Sequence, residues 1–158
     1  MGPLTQEEAD TLREIEKILI NPHKFRIPLQ GKTEEYPVCY QIANMDKDNM
    51  SISAFHGNKD IFKVSIRLKY NGNIILTRID SRDQTRHINP DKTIIEALQP
   101  HIHIYREGYD DKFAYPLPRE FSDATNVCSL FRDFLSYSHV INLDEIRILE
   151  QGALFYDG

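Results

Sequence analysis

The chain has 158 residues, of which 41% are hydrophobic and 27% are charged, and its formal net charge is −5. This length suits one sizeable core, so we expect a single domain over residues 1–158. The acidic balance gives no global case for nucleic-acid binding, and no apolar run is long enough to cross a bilayer. We therefore expect a cytoplasmic protein in which the two cysteines, Cys39 and Cys128, are reduced core residues.

A helix is predicted at the start of the chain. Thr5 and Glu8 have the spacing of a capping box, and an apolar stripe follows as far as the stop signal Asn21-Pro22. The members of this stripe are Leu12, Ile15, Ile18 and Leu19.

The middle of the chain alternates between apolar and polar residues, which is typical of strands. Strands are predicted over 24–29, 36–43, 50–56, 61–70 and 74–80, and another begins at His101. Asn71-Gly72 predicts a two-residue type I′ turn, which fixes the register of one hairpin. The predicted pairs are Tyr70 with Asn73, Leu68 with Ile75, Ile66 with Thr77 and Val64 with Ile79. This register buries Phe62, Val64, Ile66 and Leu68 and gives the opposite face a basic set, Lys63, Arg67, Lys69 and Arg78.

Further elements follow from shorter signals. We predict a short helix over 93–98, a loop over 108–118, a helix from Asp123 to Tyr137 and a closing strand over 146–155. Together these elements predict an α+β fold. Its core would be a single curved antiparallel sheet, with an N-terminal and a C-terminal helix packed on one face.

The candidate catalytic residues centre on the strand that begins at His101. Alternation places His101, His103 and Tyr105 on one face, and a turn at Asn89-Pro90 would bring Arg86 and His87 beside them. Two imidazoles can act as acid and base in phosphodiester cleavage, and the phenol can position the substrate. Four arginines are candidate phosphate contacts: Arg86, Arg106, Arg67 and Arg78. Strict alternation, however, places Arg106 on the face opposite His101 and His103.

A metal site is the other reading of this strand. His101, His103 and Glu107 match the first ligand cluster of the cupin pattern, but the remainder of that pattern is missing from the sequence. We therefore expect no metal and no cofactor.

Four segments of the chain resemble an uncharacterised family of small bacterial proteins found among mobile elements and phages. They are residues 4–10 (LTQEEAD), 86–90 (RHINP), 101–108 (HIHIYREG) and 112–117 (KFAYPL). The resemblance implies a role in toxin–antitoxin modules or phage–host conflict, and it assigns no catalytic residue.

Two functions are compatible with these features. The first is a metal-independent, endoribonuclease-like toxin that acts on RNA. The second is a non-catalytic acidic binding protein, such as an antitoxin or an anti-CRISPR type inhibitor, whose partner would be a basic protein. A cupin-type metal enzyme is a third and less favoured reading, and an edge strand would permit a homodimer. An open pocket at the histidines would favour catalysis, whereas burial would disfavour it.

Overall fold

A computed structural model describes residues 4–42, 45–60 and 62–146 of the chain. The helices are α1 (Gln6–Glu14) and α2 (Val127–Tyr137). The strands are β1 (Lys17–Leu19), β2 (Thr33–Ile42), β3 (Met45–His56), β4 (Val64–Tyr70), β5 (Ile74–Asp80), β6 (His87–Ile88), β7 (Ile94–Ile95), β8 (His101–Ile104) and β9 (Ala114–Pro116).

Seven of these strands form one antiparallel sheet in the order β1-β2-β3-β4-β5-β8-β9. Both helices contribute to a single hydrophobic core, with Leu12 from α1 and Phe131 and Phe134 from α2. The predicted α+β fold with helices at both ends is therefore confirmed. A separate hairpin of β6 and β7 adds a second, small sheet that the sequence did not predict.

Helix α1 begins as predicted but ends earlier. Thr5 and Glu8 form the reciprocal capping box, whereas the helix stops at Glu14 and Ile15 is its C-cap. The predicted continuation to Asn21 is wrong, because Lys17–Leu19 pairs with β2 instead. Leu19 is buried and Ile18 is exposed, which is the alternation of a strand.

Helix α2 is confirmed, but its N-cap is Asn126, whose side chain accepts from the Ser129 amide. The predicted cap, Asp123, accepts from the amide and hydroxyl of Thr125 in the preceding turn. Asx turns of this kind compete with helix initiation for the same side chain.

The β4–β5 hairpin exists, but its predicted register is wrong. Tyr70 pairs with Ile74 across a three-residue loop in which Asn71 and Gly72 have positive φ. A bulge between Leu68 and Lys69 then shifts the register again, so Ile66 lies opposite Ile79. Bulges change which residues face the core, and Leu76 is fully buried here. Phe62, predicted to be buried, is 51% exposed.

Three other predicted elements differ from the structure or fall outside it. Residues 25–29, within the predicted strand 24–29, are irregular after a 3₁₀ turn at Pro22–Lys24. The predicted helix over 93–98 is replaced by β7, because Ile94 and Ile95 pair with β6. The predicted loop over 108–118 contains β9. Almost all of the closing strand, 146–155, lies outside the described residues.

Lys17 joins the two helices. Its side chain is fully buried, and its Nζ donates to the carbonyls of Arg13 and Ile15 at the end of α1 and of Ser138 at the end of α2. Carbonyls at helix C-termini lack intrahelical donors and carry partial negative charge, so one ammonium satisfies three of them.

Within the described part of the chain, no helix combines the length and apolar character needed to span a membrane.

Replacing Lys17 with methionine should destabilise the protein strongly. The Lys17→Met variant keeps the apolar stem but leaves three carbonyls without this donor, so we expect a loss of roughly 3 kcal/mol in the free energy of unfolding. Urea denaturation measures this loss. The exposed Lys24→Met variant is the control, and equal losses in both variants would contradict the role given to Lys17.

Candidate functional site: a closed histidine cluster

His101 and His103 lie side by side on one face of β8, as alternation predicts. Across the β5–β8 pair, His101 is opposite Asp80 and His103 is opposite Arg78. Both histidines are only 2% exposed. Directly opposed residues share a face of a sheet, so the four side chains form one polar cluster. Ile102 is buried on the other face, in the core, as predicted.

Backbone carbonyls fix the tautomer of both histidines. Nδ1 of His101 lies 2.8 Å from the Gln99 oxygen, and Nδ1 of His103 lies 2.8 Å from the Asp111 oxygen. A carbonyl can only accept, so each Nδ1 carries a proton. In the neutral ring, Nε2 is then an acceptor, and in both rings Nε2 is directed towards Asp80, at 3.7 Å from His101 and 3.5 Å from His103.

His87, on β6, is the third member of the cluster. Its ring lies 5.0 Å from that of His103 and 6.4 Å from that of His101, and its Nε2 donates to the Lys112 carbonyl at 2.8 Å. The prediction that the turn at Asn89-Pro90 brings His87 beside the strand is therefore confirmed.

The β6–β7 hairpin covers the two inner histidines and is attached to the main sheet by Asn89. The Asn89 amide donates to the Ala114 carbonyl at 2.9 Å, and its oxygen accepts from the Ala114 amide at 2.8 Å. A second donor contact reaches Thr93. This paired hydrogen bond imitates strand pairing and holds His87 over His101 and His103.

Arg78 is the cation of the cluster. Its Nε donates to Asp80 at 2.8 Å, one terminal nitrogen donates to Asp111 at 3.0 Å, and the other lies 2.9 Å from Nε2 of His103. A guanidinium cannot accept, so Nε2 of His103 accepts this bond and the ring is neutral.

The surroundings shift the protonation of the two inner histidines in opposite directions. Burial, together with the Arg78 charge, lowers the pKa of His103 to about 4. Burial also acts to lower the pKa of His101, but the nearby carboxylate of Asp83, the Gln99 carbonyl and Asp80 outweigh it and raise that pKa. The contact with His101 also holds the pKa of Asp83 down, to about 2, despite partial burial.

Tyr105 does not join the cluster. Strand β8 ends at Ile104, so strict alternation no longer applies, and Tyr105 is buried in the core that contains the helices. Its hydroxyl donates to the Leu4 carbonyl at 2.6 Å, just before α1. The predicted position beside His101 and His103 is wrong.

The other predicted arginines are dispersed. Arg86 is exposed, and Arg106 lies with its guanidinium 4.0 Å from the centre of the Phe113 ring. Arg67 is opposite Arg78 in the sheet, but its side chain forms no hydrogen bond or ion pair with any described residue. Of the four arginines, only Arg78 contacts the histidines.

The basic face predicted for the hairpin is largely neutralised. Lys63 lies 3.4 Å from Asp83, Lys69 lies 3.1 Å from Glu35, and Arg78 is paired twice. Ion pairs of this kind reduce the positive potential that a phosphate would need.

Three acidic members of the site were missed by sequence reasoning: Asp80, Asp83 and Asp111. Asp80 enters because β5 and β8 are neighbours, and a correct hairpin register alone would not have shown this pairing. Asp111 lies in the predicted loop over 108–118, and its carbonyl and carboxylate accept hydrogen bonds from His103 and Arg78. Glu107, the carboxylate of the cupin reading, instead accepts from the Gln6 amide at α1.

The described chain is thus an α+β protein with a closed cluster of three histidines, an arginine and acidic residues. A family model matches residues 4–140, and the chain belongs to that family, a family of unknown function (DUF6978). The expected membership of an uncharacterised family is therefore confirmed. Comparisons with curated proteins and with solved structures gave no match.

Removing the Arg78 guanidinium should destabilise the protein, whereas removing that of its neighbour should not. Arg78→Met leaves the nearly buried Asp80 carboxylate without its closest cation, and we expect a loss of roughly 3 kcal/mol. Arg67→Met is the matched control on the adjacent strand and should cost less than about 1 kcal/mol. Chemical denaturation compares the two, and equal losses would show that the Arg78 pairs contribute no net stability.

Proposed function

We propose that the protein acts by binding a basic protein partner, and that its histidine cluster is not a catalytic centre. The observation that supports this proposal is the closure of the cluster. A general acid or base must come within about 3 Å of the group that it serves. His101 and His103 are 2% exposed and lie beneath the hairpin that carries His87, so a substrate has no direct access to either Nε2 atom.

The charge distribution supports a basic partner. The chain carries a net charge of −5, and several of its cations are paired internally. Glu7 and Glu14 are exposed on α1 and lie seven residues apart, which places them on the same side of the helix. Carboxylates presented in this way favour encounter with a positively charged surface and make binding sensitive to salt.

The kind of partner follows from the expected biological context. Within phage–host or toxin–antitoxin conflict, the chain would act in the cytoplasm as an antitoxin or as an anti-CRISPR type inhibitor. Its partner would then be a nucleic-acid-binding toxin or defence protein, whose basic channel is complementary to an acidic surface. A cytoplasmic setting is consistent with Cys39 and Cys128, which are not joined by a disulfide.

Charge reversal on α1 should abolish partner capture. With the chain as bait in lysate of its source cell, we expect a basic protein to bind at about 50 mM salt and to be released at about 500 mM. Glu7→Lys combined with Glu14→Lys should reduce capture at least tenfold. Glu96→Lys with Glu145→Lys gives the same change in net charge at exposed sites outside the cavity that Glu14 lines, and this variant should bind nearly normally.

Failure to capture any protein at low salt would overturn the proposal. Equal losses in the two double variants would show that net charge alone, and not the α1 surface, governs the association.

RNA cleavage is the second candidate function, and the clustering of three imidazoles, one of which contacts Arg78, favours it. In a metal-independent, endoribonuclease-like toxin, His101 and His103 would exchange protons with the RNA and Arg78 would contact the phosphate. This reaction requires the β6–β7 hairpin to lift, with loss of the hydrogen bonds of Asn89 and His87.

A cleavage assay separates the two functions. We expect the purified wild-type chain to leave single-stranded RNA uncut, as would the His101→Ala/His103→Ala variant. Cleavage that the double variant reduces at least 100-fold, and that the exposed control variant His23→Ala retains, would establish the second function and overturn the first.

A further inference from the structure

We propose that Asp80, His101 and His103 form a binding site for one divalent transition metal of the zinc class. One carboxylate oxygen and two imidazole nitrogens of these residues lie within 4.8 Å of one another, and all three residues are buried. The proposal is independent of RNA cleavage and of partner binding, because it concerns only what the cluster holds.

The separations between the donor atoms suit a small metal ion. Asp80 Oδ2 is 3.5 Å from Nε2 of His103 and 3.7 Å from Nε2 of His101. Ligands about 2.0 to 2.1 Å from a tetrahedral zinc ion lie roughly 3.4 Å apart. Both carboxylate–nitrogen separations are therefore close to those of one coordination shell, and the separation between the two histidine ligand atoms is no more than 4.8 Å.

Nε2 of His101 is the second and independent indication of a ligand. It is a buried nitrogen without a hydrogen-bond partner among the described residues, although Nδ1 of the same ring is satisfied. The carboxylate oxygens nearest to it are at 3.5 and 3.7 Å and do not hydrogen-bond to it. A buried polar atom of this kind calls for a specific occupant.

The hydrogen bonds made by the Nδ1 atoms of His101 and His103 are also those expected of metal-bound histidines. Such histidines commonly donate their other ring N–H to a backbone carbonyl, which orients the ring and keeps the coordinating nitrogen unprotonated. Gln99 and Asp111 supply these carbonyls, each at 2.8 Å.

A fourth donor lies beside His101, and Arg78 separates the site from solvent. Asp83 Oδ2 lies 3.5 Å from Nε2 of His101, so a small rotation would add a second carboxylate. Two nitrogens with two oxygens make a set that suits zinc or cobalt better than magnesium. The side chains of Arg78 and Asp111 are 22% and 26% exposed, so displacement of Arg78 from His103 would open the cluster to an ion from solvent.

Arg78 is the competitor for this site. Its guanidinium donates to Nε2 of His103 and to Asp80, so it occupies lone pairs that the metal would use. Metal binding must displace the contact with His103, while Asp111 retains the guanidinium at the edge of the site. Without a metal, Arg78 and a proton on His101 would balance the carboxylates, and this is the alternative that the experiment must exclude.

The test uses the full chain, freed of any affinity tag, with Zn²⁺ and Co²⁺ as probes. After exposure to excess Zn²⁺ and gel filtration, we expect about one zinc per chain by elemental analysis. Bound Co²⁺ should show the intense visible absorption of a tetrahedral site. Zn²⁺ at roughly 100 times its Kd should raise Tm by about 5 °C or more, whereas Mg²⁺ should not.

Variants assign the site. His103→Gln and Asp80→Asn should each weaken zinc binding at least tenfold, whereas the exposed control His23→Gln should bind normally. Stoichiometry below about 0.2 in the wild type, or zinc binding unchanged in folded His103→Gln, would overturn the proposal. If neither site variant folds, the spectrum of Co²⁺ added to the wild type tests the proposal. A weak octahedral spectrum, or no visible absorption from bound Co²⁺, would contradict a buried tetrahedral site of nitrogen and oxygen donors.

Discussion

The structure depends on one constraint: β5 and β8 are buried on both faces. Ile79 and Ile102 point into the core shared with the helices, whereas Asp80, His101 and His103 are buried on the opposite face, where the rings of His101 and His103 contact His87 of the β6–β7 hairpin. A buried polar group is costly unless it finds a partner, so the polar face must satisfy itself. The need to pair buried polar groups is therefore sufficient to bring the histidines, the arginine and the carboxylates together, and no catalytic role is required to explain the cluster.

Within the cluster, most of the buried polar atoms find hydrogen-bond partners among a few neighbouring residues. Arg78 donates hydrogen bonds to both Asp80 and Asp111, and backbone carbonyls accept hydrogen bonds from the Nδ1 atoms of His101 and His103. His101 retains one nitrogen without a hydrogen bond. A structural role and the proposed metal-binding role therefore share the same residues. They differ in whether a proton or a metal lies at that nitrogen and in whether Arg78 contacts His103.

Local patterns in the sequence predicted much of the fold. The capping box of α1, the apolar stripe of α2 and the alternation at His101–Ile104 involve neighbouring residues and were confirmed. Predictions were wrong where the local structure depends on pairing with residues that are distant in the sequence. Lys17–Leu19 carries a helical pattern but pairs with β2, and a three-residue loop and a bulge together displaced the hairpin register. Asp80 became part of the site through its pairing with β8, which no spacing in the sequence reveals.

Lys17 gives the fold a further property. Its ammonium contacts the last turn of α1 and a residue 121 positions away at the end of α2, while its backbone pairs with the segment that follows α2. Neither helix can unravel from that end without exposing carbonyls of the other. The two helices are therefore coupled into one cooperative unit, so that their amides should become exposed to hydrogen exchange together despite their separation in the chain.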